Sequence, residues 1–318
     1  MRALFTIFIT LVFLSACFSQ KNKAYRSFPS ESKTIYAMCF TPKGNALAVG
    51  DNNAIKFFST STTELLGTLN VRNVKMIMAI DISRDSTLLV SGGKDSTIVL
   101  TDLIKKNDAQ ILKYHKGIVT AIKISPDNKY LLSGGTDKKV VLYDIVNHQI
   151  KNEYNYFAED ITSVAFSPRG DIFAVAGGDH KICLYNTHSG EEITTLSGHN
   201  SWVRGIAISA DNTKLFSCGD DSQLIKWNIA NRDKIKVEES ARQRLNWLTC
   251  LDVNEDSKSC VIGSINGMLR IVTVLGDINI RLKAPVTRIL FVPNQGIVLK
   301  VAAATNGQGV VLIDAQEL

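Results

Sequence analysis

Residues 118–154 read IVTAIKISPDNKYLLSGGTDKKVVLYDIVNHQIKNEY, and this stretch decides the fold. Residues 119–125 are a run of β-formers. Pro126-Asp127-Asn128 follows as turn chemistry, with the proline ring already set for the second position of a β-turn. Residues 130–133 make a second strand, and Gly134-Gly135-Thr136-Asp137 turns the chain again. A third strand runs over 140–143, residues 144–148 turn, and 149–154 supply a fourth. Four short strands joined by tight turns form an antiparallel meander.

The same unit recurs on both sides. The phrase Ile124-Ser125-Pro126 returns as Phe40-Thr41-Pro42, Ile82-Ser83-Arg84, Phe166-Ser167-Pro168 and Ile208-Ser209-Ala210, each step being 42 residues. Val253-Asn254-Glu255 follows after 45 and Phe291-Val292-Pro293 after a further 38, making seven copies. A unit of this size cannot bury its own apolar faces, so neighbouring copies must stack.

The turns carry a second signature. A small-small-x-Asp turn appears as Ser91–Asp95, Ser133–Asp137, Ala176–Asp179 and Ser217–Asp221. The third strands end in Thr101-Asp102, Tyr143-Asp144, Tyr185-Asn186, Trp227-Asn228 and Ile313-Asp314, and one copy opens with Gly198-His199. These motifs resemble the WD-repeat (WD40) β-propeller family. The resemblance covers roughly 33–318 and implies an all-β, seven-bladed β-propeller of four-stranded antiparallel blades. It also implies a hydrogen-bonding network in the fifth copy, through His199, Ser217, Asp221 and Trp227. The third copy keeps His115, Ser133 and Asp137 but has Tyr143 for Trp, while Asp95 and Asp179 hold the Asp position in the second and fourth. Asn52, Asn266 and Gly307 fall where the Asp belongs in the first, sixth and seventh.

The seventh copy lacks a fourth strand: 310–313 is its third, and the sequence given stops at Leu318. An unpaired edge would expose a row of backbone N–H and C=O groups. Residues 24–28 have strand-like alternation and no other assignment, so they are expected to complete the last blade and close the ring.

Met1-Arg2 and the apolar run 3–16, ending Leu14-Ser15-Ala16-Cys17, have the length of a signal-peptide core and are short for a bilayer span. The small residues before Cys17 resemble a bacterial lipobox, which implies diacylglycerol on its thiol. Cleavage after Ser19 is the alternative. The organisation expected is a signal peptide at 1–16, an anchor linker and closing strand at 17–32, and a propeller at 33–318. Residue 18 is Phe, not Asp, which resembles an outer-membrane address, so the expected place is the outer membrane facing the periplasm, with a soluble periplasmic or secreted form as the alternative.

Net charge is +6, and Lys and Arg are spread without a basic run, which argues against nucleic acid. The five remaining cysteines have no metal-ligand spacing and fall at packing positions. Cys250 and Cys260, on one hairpin, are the one pair with the spacing to bridge. No phosphate loop, His-x-x-x-His or Cys-x-x-Cys appears, so no cofactor, metal or catalytic residue is assigned.

That leaves the faces of the disc. Thr34, Met76, Ile118, Asp160, Trp202, Trp247 and Pro285 share the column just before each inner strand. Tyr36, Met78, Thr120, Thr162, Arg204, Thr249 and Thr287 lie two residues on. Trp, Arg, Met and Tyr concentrate binding energy at interfaces. Trp202, Trp247, Arg204, Met76, Met78, Tyr36 and Asp160 are therefore the candidate docking residues, with Met76 or Met78 expected near the two tryptophans. Residues 234–244 are expected to form an exposed loop and a second contact. Asp81 and Lys123, at equivalent positions on neighbouring inner strands, are expected to pair. The function expected is a non-enzymatic scaffold that binds a protein or peptide, a single propeller within a complex, touching the membrane through its lipid only. The alternatives are a propeller enzyme or ligand-binding protein using the channel mouth, and a structural subunit of an envelope complex.

Overall fold

The computed structural model describes residues 24–29, 32, 34–71, 76–105, 107–239, 247–255, 257–293 and 299–318. The expected signal peptide at 1–16 and Cys17 lie outside them. Seven antiparallel sheets of four strands each stand around a central channel, in simple order from inner to outer strand in six of them. The seventh takes its outer strand from the other end of the sequence. Tyr25–Phe28 pairs with Gly309–Asp314, Tyr25 opposite Ile313 and Phe28 opposite Val310.

The third blade shows how the sequence makes each sheet. Its strands are Val119–Ile124, Tyr130–Gly135, Val140–Asp144 and Gln149–Tyr154. Asn128 and Lys138 take positive φ in the two tight turns, at 61° and 63°. The Ser-x-Asp phrase after the inner strand ties the turn: Ser125 Oγ donates to Asp127 Oδ1 at 2.6 Å, and the Tyr130 N–H donates back to Ser125 Oγ at 2.8 Å. The same knot recurs at Ser83–Asp85 and Ser209–Asp211.

The apolar faces are buried between sheets. One core joins Phe28, Ile35, Leu47, Phe58, Val310 and Leu312 across blades seven and one. Another joins Ala174, Ile182 and Leu196 of blade four to Val203, Leu215 and Trp227 of blade five. Removing such surface from water, at roughly 25 cal/mol per Å², is what holds blade to blade. Hydrogen bonds add register. The hydroxyls of Thr120, Thr162, Thr249 and Thr287 each donate to a carbonyl at the entry to the next blade, at Ile161, Val203, Val286 and Ile35.

Two expectations are corrected here. Residues 234–239 form no loop: Lys234–Glu239 is the outer strand of blade five, paired with Gln223–Asn228. It begins 42 residues after Glu192–Ser197 of blade four, as the repeat requires. Residues 240–244 lie outside the described part. Asn52 does not occupy the Asp position. Blade one closes with a two-residue turn, Asp51 opposite Ala54, and Asn52 sits there at φ 57°. Cys250 and Cys260 are free and buried, because the register sets Cys250 opposite Gly263 and Cys260 opposite Val253.

Candidate docking face

Every blade from the second to the seventh pins the residue before its inner strand to the turn between its second and third strands. The carbonyls of Met76, Ile118, Asp160, Trp202, Trp247 and Pro285 accept from the N–H groups of Lys94, Thr136, Gly178, Asp220, Ile265 and Asn306, at 2.8–3.0 Å. Side chains in this column therefore project from a backbone fixed before any partner arrives.

Blades five and six, which are neighbours, carry the aromatic part. The Trp202 indole lies flat against Gly178 of blade four, where a Cβ would fall 2.7 Å from the ring. The Arg204 guanidinium covers its other face, 4.7 Å from the ring centroid. Arg204 is held in turn by Asp220, Nε to Oδ1 at 2.9 Å and Nη2 to Oδ2 at 2.6 Å. This ordered stack leaves Trp202 half-buried. Trp247 is 54% exposed.

Met76 does not join them. Its blade is three positions from both five and six, across the ring. It lines a separate notch of about 410 Å³ with Thr34, Tyr36 and Asn52. Met78 lies half-buried in the inner strand Ile77–Ile82. Asp160 is half-buried in the column on blade four, next to the blade of Trp202, and its carbonyl accepts from the N–H of the same Gly178 on which the indole lies.

Behind the rim, the channel holds a cavity of about 350 Å³ lined by Asp81, Thr120, Lys123, Arg204, Asp252 and Arg288, among others. Lys123 Nζ reaches Asp81 Oδ1 at 3.0 Å, the expected pair. The proximity of Asp81 holds the Lys123 ammonium above its ordinary pKa. Asp81 and Asp252 each accept from the next blade, from the Ile124 and Phe291 N–H groups at 2.8 Å. Burial pushes the Asp252 carboxyl up to about 6 against those hydrogen bonds. Arg288 was not singled out by sequence reasoning. It bridges the channel, donating from Nε to the Tyr36 carbonyl at 2.9 Å and from Nη2 to the Thr120 carbonyl at 3.3 Å. The signal was present: Ala37, Ala79, Ala121, Ser163, Gly205 and Cys250 make a column of small residues, and Arg288 is its seventh member.

The histidine networks are anchored in the same turns, Asp221 following the Asp220 that holds Arg204 and Asp137 following the Thr136 pinned to Ile118. His199 Nδ1 is 2.8 Å from Asp221 Oδ2, and Nε2 is 2.7 Å from Ser217 Oγ. Trp227 Nε1 donates to the same Oγ at 2.8 Å. A carboxylate only accepts, so Nδ1 carries the proton, and Ser217 gives its own to Nε2. The order Ser, His, Asp matches a catalytic triad, but Ser217 is wholly buried and capped by the indole, so no substrate reaches its oxygen. His115 repeats the arrangement with Asp137 at 3.1 Å and Ser133 at 2.9 Å, while the Tyr143 hydroxyl donates to Gln110 instead. Burial works against ionised Asp137, yet the bonds from His115 and the Lys116 N–H bring it down to about 2. Asp95 and Asp179 accept from within their own turns, from Thr97 and Lys181. Asn266 does the same for Met268.

No group of His, Cys, Asp and Glu among the described residues is arranged to hold a metal ion, and no described helix is long and apolar enough to cross a membrane. Burial raises the thiols of Cys39, Cys183, Cys218 and Cys250, which marks them as packing groups.

The WD domain, G-beta repeat family (WD40) matches residues 63–102, 107–144, 152–186 and 190–228. The first match spans the outer strand of blade one and three strands of blade two, so the sequence repeat is offset from the blade by one strand. Among curated proteins, the nuclear distribution protein PAC1-1 of Uncinocarpus reesii is 34% identical over 24% of this chain and 17% of its own length. The lissencephaly-1 homolog 1 of Paramecium tetraurelia is 34% identical over 19% of this chain and 15% of its own. The nuclear distribution protein PAC1 of Arthroderma benhamiae is 38% identical over 19% and 13%. The chain thus matches less than a fifth of the length of these relatives. The four matched repeats, set in a ring of seven four-stranded blades, support a WD40 β-propeller.

Proposed function

We propose that this protein is a non-enzymatic interaction scaffold, exported and held at a membrane by lipid on Cys17. Its docking face takes a protein or peptide segment. The observation that carries the reading is the pair of tryptophans on adjacent blades. Trp202 is clamped between Gly178 and Arg204, and Trp247 is open to solvent on a backbone pinned to Ile265. A surface already ordered loses little entropy when a partner lands, so its aromatic area converts efficiently into affinity. The envelope setting rests on the sequence of residues 1–17.

The test is a pull-down of the native protein from its own envelope fraction, compared with Trp247→Ala and with Trp202→Ala. Truncating an aromatic anchor at such a centre costs about 2 kcal/mol or more, some thirtyfold in affinity. Loss of one specific co-purifying protein with an unchanged circular dichroism melt supports the scaffold. Retention by both variants refutes this face as the docking site.

A further inference from the structure

The ring has two unlike faces, and the path of the chain decides which one meets the membrane. Inner and third strands run the same way in every blade, both antiparallel to the strand between them. The turns that follow them therefore open on one face, opposite the tryptophans. Contacts between blades show that this turn face is continuous. The Arg84 N–H donates to Asn128 Oδ1 at 2.9 Å, the Asp211 N–H donates to Ser257 Oγ at 3.2 Å, and a Cβ on Gly44 would meet the Pro293 carbonyl oxygen at 2.5 Å.

The closing strand Tyr25–Phe28 begins on the turn face. Tyr25 lies opposite Ile313, near the end of its partner strand, and the Ala24 carbonyl accepts from the Asp314 N–H at 2.9 Å. The chain before Ala24 thus leaves from this face. Seven residues separate Cys17 from Ala24, a reach of at most about 25 Å. Lipid at Cys17 would hold the turn face against the bilayer.

That face carries apolar side chains that no packing explains. The hairpin tip of blade six, next to the blade from which the chain leaves, is Val274-Leu275, exposed by 75% and 97%. The corresponding turns of blades two and three present Ile104 at 75% and Val146 at 64%. Tight turns ordinarily use Gly, Asn, Asp or Ser at such positions, as His188-Ser189-Gly190 of blade four partly does.

We infer that the turn face is a lipid-facing surface. Val274, Leu275, Ile104 and Val146 seat at the boundary of headgroup and acyl chain, and the tryptophan face is turned away from the membrane toward its partner. The inference rests on the anchored reading above and adds a protein–lipid contact to the lipid itself. A diacyl group supplies the affinity and the four apolar tips supply the orientation.

The experiment uses the full acylated chain on phosphatidylethanolamine–phosphatidylglycerol vesicles with brominated acyl chains. A nitrobenzoxadiazole label is placed at Leu275→Cys, at Ile104→Cys, or at Lys94→Cys on the tryptophan face. The five described native cysteines are buried, so the label reports the introduced thiol. The expected result is loss of about half the emission at Leu275→Cys and Ile104→Cys and none at Lys94→Cys, as for side chains lodged in the interface. Diacylated, vesicle-bound protein with quenching at Lys94→Cys, or at none of the three, overturns the face assignment and leaves the anchor standing. Mass spectrometry showing Cys17 without diacylglycerol removes the anchor and this inference together, while loss of partner capture by Trp247→Ala is scored separately.

Discussion

Phe28→Ala tests whether the ring is closed by the strand that begins the described chain. Phe28 is 4% exposed, with its ring 5.5 Å from Phe58 of blade one and tilted by 56°. It packs with Ile35, Val310 and Leu312, so it joins the first and last blades at the seam. Truncating a buried Phe to Ala costs about 3–5 kcal/mol. For a chain of this size each kcal/mol moves the melting temperature by about 2 °C, so Phe28→Ala is expected to lower it by about 6–10 °C. Deleting 24–29 adds the loss of four paired residues, at about 1 kcal/mol net per hydrogen bond, and bares the edge of Gly309–Asp314. The sum approaches the whole stability of an ordinary domain, about 5–15 kcal/mol, so the deletion is expected to abolish a single cooperative transition. Tyr25→Ala, at an exposed position of the same strand, serves as control and is expected to change the melt by about 2 °C or less. Scanning calorimetry reads all three. A Phe28→Ala melt within about 1 °C of the parent would falsify closure as a source of stability.

Trp227→Phe leaves the ring buried but removes the N–H that serves Ser217, and is expected to cost about 1–3 kcal/mol in urea denaturation. Ser91 occupies the same column as Ser217 and Ser133, yet its buried hydroxyl has no hydrogen-bond partner among the described residues. Ser91→Val, which copies Val175 of blade four, is therefore expected to raise stability by about 1 kcal/mol. Asp252 gives a pH signature. Its folded pKa of about 6 exceeds the ordinary 3.8, so the folded state holds the extra proton between those values and stability falls as pH rises through them. The total is about 2–3 kcal/mol, and Asp252→Asn is expected to flatten that slope in melts taken from pH 4 to 7. Asp137, held at about 2, acts in the opposite sense: its contribution is present above 3.8 and is lost as pH falls toward 2. Met78→Thr, which restores a hydroxyl beside the Val119 carbonyl of blade three, is expected to add about 1 kcal/mol in urea denaturation.

The sequence shows the fold plainly where one residue type has one job. Ser125 and Asp127 knot a turn, Gly and polar residues take positive φ, and the 42-residue step carries both around the ring. Periodicity also located Asp81 opposite Lys123, because equivalent positions on neighbouring inner strands face each other. It was underused at 234–239, where a weakly apolar stretch read as a loop although the step demanded an outer strand. The docking face was less legible. A column alignment gives height on a blade but not position around the ring, so Met76 was set beside tryptophans that stand across the channel from it. It also gives no side-chain direction: Trp202 and Trp247 share a column, yet Gly178 lets one lie flat while the other stands open. Arg288 was hidden because small neighbours make its column read as packing, although they are what leave the channel open for its side chain to cross.

The column two residues inside the rim connects stability to binding. In blades three, four, six and seven it holds threonine, whose hydroxyl donates to the next blade. In blades one, two and five it holds Tyr36, Met78 and Arg204, which make no such donation among the described residues. Each omitted neutral hydrogen bond forgoes about 1 kcal/mol, a cost that a ring closed at Phe28 can absorb without opening. In exchange, blade five gains the cation that covers Trp202, and blade one places Tyr36 in the notch beside Met76. The face is thus most elaborate where the blade-to-blade bond was given up. Exchanges at 36 and 204 toward threonine should therefore strengthen the propeller while weakening the proposed docking, whereas threonine replaced by alanine at 162 or 249 should loosen the ring and leave that docking in place.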